Sequence, residues 1–195
     1  MSKKESTFLN MTLTLFIITL ISGLSLGYVN DLTLEPKAQA KMARKVKALK
    51  QVLPEFNNNP VEDVLMLKSD KAKDSVEIYT GKNNDEYVGT AVVGSSEKGY
   101  GGLVKLMVGF NPDGSIKNIV VLEQKETPGL GTKMKEPKFL DQFKGKNPSH
   151  FTLKPKKDGG DVDALTGATI STRAFSEATQ MAYDIMNETK NEPKN

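Results

Sequence analysis

The sequence predicts an α+β domain, with an antiparallel sheet flanked by helices, preceded by one transmembrane helix. Three observations indicate this fold class. Residues 8–29 form one uninterrupted apolar run. The middle of the chain holds two pairs of strand-like segments, each joined by a turn sequence, and the helix-like segments come after these strands. Strands followed by helices, without alternation, are typical of an antiparallel sheet with helices packed against it.

The apolar run Phe8–Val29 contains no charged residue and is long enough, as a helix, to cross a hydrocarbon core of ~30 Å. A cleaved signal peptide is the alternative, since Ser25 and Gly27 are small. The run is longer than an h-region of ~7–15 residues, however, and no clear A-x-A site follows. We therefore predict a transmembrane helix over residues 8–29, in contact with membrane lipid, after a cytoplasmic N-terminus of residues 1–7.

Charge alone leaves the orientation of this helix open. Lys3 and Lys4 favour a cytoplasmic N-terminus under the positive-inside rule. Five basic residues on the other side oppose it, partly offset by two acids. Long domains are translocated largely regardless of charge, which weakens that objection. The basic residues are Lys37, Lys41, Arg44, Lys45 and Lys47, and the acids are Asp31 and Glu35.

Residues 30–60 are predicted to be a linker and an amphipathic helix. Pro36 suits the first turn of a helix, and Pro54 suits its end. Four apolar residues between them, Met42, Val46, Leu49 and Leu53, follow helical spacing on one face. A basic helix lying on anionic lipid is the alternative.

Residues 61–188 are predicted to form the folded domain. Val76–Thr80 and Glu86–Val93 flank a polar turn at residues 81–85. Leu103–Phe110 and Ile116–Leu122 flank Asn-Pro-Asp-Gly, a strong hairpin signal. Alternation places Val104, Leu106, Val108 and Phe110 on one face of their strand.

Two helices are expected after the strands. One covers Glu136–Phe143 and the last runs from about Ser171 to Asn187, ahead of a polar tail at residues 189–195. Helical spacing gives the last helix a buried stripe of Phe175, Ala178, Ala182, Ile185 and Met186.

Composition excludes several kinds of chemistry. The 195 residues include no cysteine and a single histidine, His150. Thiolate-held iron–sulfur clusters, c-type haem and thiol nucleophiles are therefore excluded, and a histidine metal cluster is too, so we expect no metal site. The net charge of +3 is too small to indicate nucleic acid binding. Redox chemistry in this chain would require an organic cofactor.

Residues 163–172 are a hydroxyl-rich, glycine-containing loop leading into the last helix. A helix N-terminus offers unpaired N–H groups and partial positive charge, which favour a phosphate. Gly167 permits close approach of the backbone to a ligand. The alternative is plain helix capping by Ser171 or Thr172.

The pattern Asp-x-x-Thr-Gly-Ala-Thr at residues 163–169 resembles the flavinylation motif of a family of FMN-binding domains. Members occur in the Rnf ferredoxin:NAD oxidoreductase and in the sodium-translocating NADH:quinone oxidoreductase. The resemblance implies that the hydroxyl of Thr169 carries FMN as a phosphoester, made by a separate flavin transferase that uses FAD and magnesium. It assigns the remaining cofactor-binding motif positions to Asp163, Thr166, Gly167 and Ala168.

A second segment, Glu-Thr-Pro-Gly-Leu-Gly at residues 126–131, resembles the loop of that family that packs against the flavin. It adds Glu126, Thr127, Pro128, Gly129, Leu130 and Gly131 to the expected cofactor site. Pro128 and Gly129 fit a tight turn, so a simple surface turn is the alternative. Gly99-Tyr-Gly-Gly-Leu also resembles the family.

The resemblance implies an electron-carrier component of an ion-translocating membrane complex, with residues 61–188 on the extracytoplasmic side. The chain is short, which resembles the G subunit of the Rnf complex more than the longer C subunit of the quinone reductase. Partners would be the other membrane subunits and the flavin transferase. The flavin would do the redox chemistry, so no side chain is expected to be catalytic. The coupling ion stays open, as does a flavin-binding module without ion-pump coupling.

Six basic residues have two possible roles. They are either neutralising groups for a phosphate or a solvated basic face, and the sequence does not choose between these. The six are Lys144, Lys146, Lys154, Lys156, Lys157 and Arg173.

Overall fold

A computed structural model describes residues 7–68 and 75–191, with side chains through Lys190. It contains a long helix, a five-stranded sheet and two later helices. The helices are α1 (Phe8–Val52), α2 (Pro137–Leu140) and α3 (Thr169–Asn191), and the strands are β1 (Leu65–Leu67), β2 (Val76–Asn83), β3 (Glu86–Gly99), β4 (Gly102–Phe110) and β5 (Ile116–Gln124). Short 3₁₀ turns lie at Gly131–Lys135, Asp141–Phe143 and Lys156–Asp158. The chain divides into two compact units, Met1–Ala43 and Arg44–Asn195.

The first unit contains most of α1. An 18-residue window of this helix has a mean hydropathy of 1.9, so the helix is long and apolar enough to cross a membrane. The predicted helix start at Pro36, after a linker, is wrong, because α1 continues through Pro36 as one helix of 45 residues. A proline removes one backbone hydrogen bond, and the strong helix formers after it, such as Ala38 and Ala40, favour continuation. Residues 1–6, with Lys3 and Lys4, lie outside the described residues.

The sheet of the second unit is antiparallel, as the sequence predicts, and its five strands follow one another in the order β1-β2-β3-β4-β5. The first of them, β1, was not predicted. The β2–β3 turn is tighter than predicted, because only Asn84 and Asp85 connect the strands. Both have left-handed φ values, 50° and 64°, which suit a two-residue hairpin turn. The Asn-Pro-Asp-Gly hairpin is confirmed, with the Gly114 N–H donating to the Asn111 carbonyl at 2.9 Å.

One face of the sheet packs against α3. The predicted face of β4 and the predicted stripe of α3 are both buried there and belong to one hydrophobic cluster. Phe139 and Phe143, from the predicted helix at residues 136–143, pack on Phe175 of α3 with ring centroids 5.0 and 5.1 Å apart. That predicted helix exists as α2 followed by a 3₁₀ turn.

The opposite face of the sheet packs against the end of α1. Tyr79, Ala91, Val93 and Met107 are buried there together with Ala48, Leu49, Val52 and Leu53. The folded unit therefore begins at Arg44, inside the segment 30–60 that was predicted as linker and amphipathic helix. Of the apolar face predicted for that segment, Leu49 and Leu53 are buried in this core, whereas Met42 and Val46 are exposed.

Helix α3 begins at Thr169, two residues before the predicted Ser171, and continues beyond Asn187 to Asn191. The remainder of the predicted polar tail, residues 192–195, lies outside the described residues. The earlier start places Thr169 at the first position of the helix.

Candidate cofactor site

The loop at residues 126–131 contains the predicted tight turn. The Leu130 N–H donates to the Thr127 carbonyl at 3.2 Å, and Gly129 has a φ of 76°. Proline at the second position and glycine at the third are the residues that a type II turn requires. The Gly129 N–H also donates to the Thr132 hydroxyl at 3.0 Å, which fixes the turn against the following residues.

The segment before α3 contains a second turn. The Ala168 N–H donates to the Leu165 carbonyl at 3.0 Å, and Gly167 adopts the left-handed φ of 72° that the turn needs. The Thr172 hydroxyl accepts from the Leu165 N–H and donates to the Ala168 carbonyl, both at 3.0 Å. One buried hydroxyl therefore fixes the geometry of the loop ahead of Thr169.

These two segments meet in a cleft of about 510 Å³. Seven of the predicted site residues line it: Glu126, Thr127, Leu130, Gly131, Gly167, Ala168 and Thr169. Three further residues that the sequence did not assign to the site also line it: Tyr100, Ile170 and Ser171. The volume lies within the range of ~300–1,000 Å³ usual for small-molecule sites.

Tyr100 could have been found from its sequence context. It stands in the Gly99-Tyr-Gly-Gly-Leu segment, at the turn between β3 and β4. A Cβ on Gly101 would lie 2.5 Å from the Lys125 carbonyl carbon and 3.2 Å from the Glu126 N, so the turn packs against the start of the 126–131 loop. The glycines around Tyr100 were the signal that this turn approaches another backbone.

Four predicted site residues do not line the cleft. Pro128 and Gly129 are exposed in the turn of the loop, and Thr166 is exposed in the turn before α3. The Asp163 carboxylate is largely exposed and pairs with Lys156 at 2.8 Å. The Asp163 backbone is held by Gln142, whose side-chain oxygen accepts from its N–H at 2.7 Å.

The Glu126 carboxylate makes hydrogen bonds to two other segments of the chain at the cleft. The Glu126 side chain is only 5% exposed. Its Oε1 accepts from the Gly101 N–H at 3.1 Å, and its Oε2 accepts from the Ser171 hydroxyl at 2.5 Å. Gly131 allows this approach, since a Cβ there would lie 2.5 Å from Ser171 Oγ and 2.7 Å from Glu126 Oε2.

The hydroxyls of residues 163–172 have different surroundings. Ser171 and Thr172 are 2% and 0% exposed and hydrogen-bonded, and both lie inside the helix, so neither is its N-cap. Thr166 is exposed and does not line the cleft. Thr169 is half-buried, lines the cleft, and its hydroxyl has no hydrogen-bond partner within residues 7–68 and 75–191. Of these four hydroxyls, Thr169 is thus the one available to a ligand in the cleft.

The first turn of α3 supplies further donors. Within the described part of the chain, the N–H groups of Thr169, Ile170 and Ser171 have no backbone or side-chain acceptor, as expected at a helix start. Such groups, with the partial positive charge of the helix terminus, favour a phosphate. A phosphate-bearing flat ligand such as FMN fits this donor set, the adjacent hydroxyl and the partly apolar walls at Tyr100, Leu130 and Ile170.

The six basic residues do not line this cleft. Lys144 pairs with Asp141 at 2.6 Å, and Lys156 pairs with Asp163. The Arg173 guanidinium makes two hydrogen bonds to Asp158, at 2.7 and 2.8 Å, and they hold the pKa of that carboxyl below its usual value. These pairings favour the solvated basic face over phosphate neutralisation.

Several known proteins are similar in sequence to this chain over most of its length. Residues 99–184 match the family model described as FMN-binding domain. The chain is 31% identical over 184 residues to the G subunit of the Na(+)-translocating ferredoxin:NAD(+) oxidoreductase complex of Acetobacterium woodii, covering 89% of this chain and 88% of that one. It is also 31% identical over 183 residues to the G subunit of the ion-translocating oxidoreductase complex of Aliivibrio fischeri, covering 89% and 86%. Among solved structures, NqrC of Shewanella oneidensis aligns with a TM-score of 0.45 and 24% identity, covering 67% of this chain and 71% of that one.

Proposed function

The chain belongs to the family of G subunits of ion-translocating oxidoreductase complexes, and from this premise we propose that it is an electron carrier holding one FMN by a phosphoester to Thr169. The relatives at 31% identity are named as G subunits, which favours this function over that of the C subunit of the quinone reductase. The relative from Acetobacterium woodii is named as sodium-translocating and ferredoxin:NAD-linked. We propose that this chain belongs to a complex of the same ferredoxin:NAD reaction class, with either sodium or protons as the translocated ion.

The single observation that carries the proposal is the position of the Thr169 hydroxyl. It lies at the first residue of α3, in the cleft, with no hydrogen-bond partner among the described residues. A phosphate joined to this oxygen would lie beside the unpaired N–H groups of the first helical turn. Those groups would stabilise its negative charge without any lysine or arginine in the cleft.

Attachment would transfer the FMN group from FAD to the Thr169 oxygen. The Thr169 oxygen forms a bond to the phosphorus of the FMN half of FAD, the pyrophosphate bond breaks, and AMP leaves. The Thr169 proton is lost to a base of the flavin transferase, which also supplies the magnesium ion. The exposed Asp163 carboxylate, outside the cleft, suits recognition by the transferase better than contact with the flavin.

When bound, the flavin supplies one- and two-electron transfer. The residues of this chain have three tasks around it. Thr169 would retain the cofactor, the N–H groups at the start of α3 would bind its phosphate, and Leu130 and Ile170 would shield it from water on the apolar side of the cleft. No general acid or nucleophile of this chain is needed. The partners in electron exchange would be neighbouring subunits of the complex, so the mouth of the cleft must stay open to them.

We further propose that α1 is a retained single membrane span and that residues 61–188 are extracytoplasmic. The length and apolar composition of α1 support the span. A covalent bond is useful on that side, because free FMN lost from the domain would not be replaced there.

The test is the mass of the protein after co-expression with a flavin transferase. Wild type is expected to gain one FMN, and Thr169→Val, which keeps the shape but lacks the hydroxyl, is expected to gain none. Thr152→Val is the matched control, since its exposed hydroxyl lies outside both the motif and the cleft lining, and it should be labelled fully. Labelling of Thr169→Val would overturn the assignment of the attachment site.

A further inference from the structure

The walls of the cofactor cleft come from three segments that are distant in sequence. Tyr100 stands on the β3–β4 turn, Leu130 on the 126–131 loop, and Thr169 on the first turn of α3. Turns and helix ends are the parts of a fold that open most easily. Something must hold these three segments at fixed separation if the cleft is to keep its shape.

The Glu126 carboxylate connects all three. It belongs to the loop, its Oε1 accepts from the Gly101 N–H in the β3–β4 turn, and its Oε2 accepts from the Ser171 hydroxyl in α3. The carboxylate is buried, and hydrogen bonds to a buried charged acceptor are about twice as strong as bonds between neutral groups. The backbone N–H of Glu126 is itself held by the Gln124 side chain.

The bond to Ser171 also fixes the position of the Thr169 backbone relative to the cleft. Successive residues of an α-helix are separated by about 100° around its axis, so fixing Ser171 fixes the rotation of the first turn. Thr169 lies two residues earlier in that turn. At the same time the bond occupies the Ser171 hydroxyl, the other hydroxyl of α3 that lines the cleft.

We propose that Glu126 is a positioning residue for cofactor attachment, which acts through Ser171 to hold the Thr169 hydroxyl in the cleft. This inference rests on the proposed function, because it concerns the attachment reaction at Thr169. It assigns Glu126 a role distinct from flavin contact. It also explains why glycine is required at residue 131, since a side chain there would occupy the space of the Glu126–Ser171 bond.

The experiment measures the first-order rate of FMN attachment to purified apoprotein, with excess transferase, FAD and magnesium. Ser171→Ala removes the Glu126–Ser171 hydrogen bond with the loss of one oxygen atom. Glu126→Ala removes the hydrogen bonds to both Gly101 and Ser171. Both are expected to slow attachment by tenfold or more, and the double variant should be no slower than Glu126→Ala alone. Glu126→Gln keeps an acceptor for Gly101 and offers a donor to Ser171, so it should recover most of the rate.

Thr179→Val is the matched control for stability. Its hydroxyl is also fully buried in α3, donating to the Phe175 carbonyl at 2.9 Å, but Thr179 does not line the cleft. It should lower the thermal midpoint about as much as Ser171→Ala and leave the attachment rate unchanged. Amide hydrogen exchange in residues 169–172 gives a second readout, and should be faster in Ser171→Ala and not in Thr179→Val.

The outcomes separate this inference from the proposed function. Absence of label on Thr169 in wild type would overturn both. Label on Thr169 in wild type, with folded Ser171→Ala labelled at the wild-type rate, would overturn the positioning role alone. If Glu126→Ala does not fold, Ser171→Ala and Glu126→Gln still decide the question. Equal slowing in Thr179→Val would show that only stability was being measured, and would also overturn the positioning role.

Discussion

Gly94 of β3 lies directly beneath the backbone of Ala178 in α3. A Cβ built on Gly94 would be 3.0 Å from the Ala178 carbonyl carbon and 3.1 Å from the Ala182 Cβ. The helix therefore crosses the sheet at a separation that only glycine allows, and the obstacle is backbone, which cannot rotate away.

We expect Gly94→Ala to lower the free energy of unfolding by about 1–3 kcal/mol, because α3 must move off the sheet to make room. Urea unfolding of the folded unit measures this. Gly81→Ala is the control on the same sheet, because the nearest atoms to its Cβ would be side-chain ends of Leu53 and Val88, at 3.3 Å. Equal destabilisation by both substitutions would contradict the tight helix crossing.

The second prediction is that Leu130, in the 126–131 loop, tunes the flavin without taking part in its attachment. Leu130 lines the cleft, while Pro128 does not. Leu130→Ala would admit water to the flavin and stabilise its anionic reduced form, raising the midpoint potential by roughly 10–30 mV, where ~30 mV corresponds to ~1.4 kcal/mol for two electrons. Redox titration of flavinylated protein measures the shift, and attachment at Thr169 should persist. Pro128→Ala should leave the potential unchanged. An unchanged potential in Leu130→Ala as well would mean that Leu130 does not contact the flavin.

The third prediction concerns acid stability. The Lys45 ammonium lies 2.7 Å from Glu77 Oε1, and the Tyr79 hydroxyl donates to Oε2 at 2.6 Å. Burial alone would raise the pKa of Glu77, but the hydrogen bonds from Lys45 and Tyr79 and the charges of Lys45 and Lys105 hold this pKa below its ordinary value of 4.5. A lowered folded pKa gives stability that is present above pH ~4.5 and is lost as the pH falls through the folded value.

Glu77→Gln should therefore destabilise the folded unit at pH 7, by about 1–3 kcal/mol for a charged hydrogen-bonding group. The difference from wild type should shrink as the pH falls below ~4.5, where Glu77 of the unfolded chain takes up a proton first, and should be lost below the lowered pKa of the folded state. Denaturant unfolding from pH 3 to pH 7 measures this difference. A difference that is constant with pH would mean that the ion pair with Lys45 contributes nothing through its charge.

The fourth prediction concerns topology. If the folded unit is extracytoplasmic, a reporter that is active only in the cytoplasm should be silent when fused after Asn195. The same reporter fused to a control with Lys3 and Lys4 replaced by Glu should gain activity if those charges set the orientation. An active reporter on the wild-type chain would reverse the proposed orientation.

Much of the fold could be predicted because its signals are local. The Asn-Pro-Asp-Gly turn and the alternation from Val104 to Phe110 define the β4–β5 hairpin from sequence alone. The second half of β3 was missed, because Gly94, Ser95 and Ser96 have low strand propensity and pair only through contact with β4. β1 has three residues, too few for a period to be visible.

The site was predictable only in part, for a related reason. The Thr169 segment and the 126–131 loop carry recognisable patterns, and the structure brings them to one cleft. The link between them is a pairing of Glu126 with Ser171, 45 residues apart, which no spacing rule predicts. At Pro36 a local signal gave a wrong prediction. A proline usually marks a helix boundary, but the good helix formers on either side of Pro36 keep α1 continuous.

The burial of Ala48, Leu49 and Val52 against the sheet has a practical consequence for producing the folded unit without its apolar N-terminal segment. The family match begins at Gly99, the last residue of β3, so a fragment cut to that match would lack two strands and nearly all of a third. A fragment cut at the end of α1 would expose a sheet face lined by Tyr79, Val93 and Met107. The shortest fragment that keeps this core should start no later than Arg44, so that the last turns of α1 remain part of the folded unit.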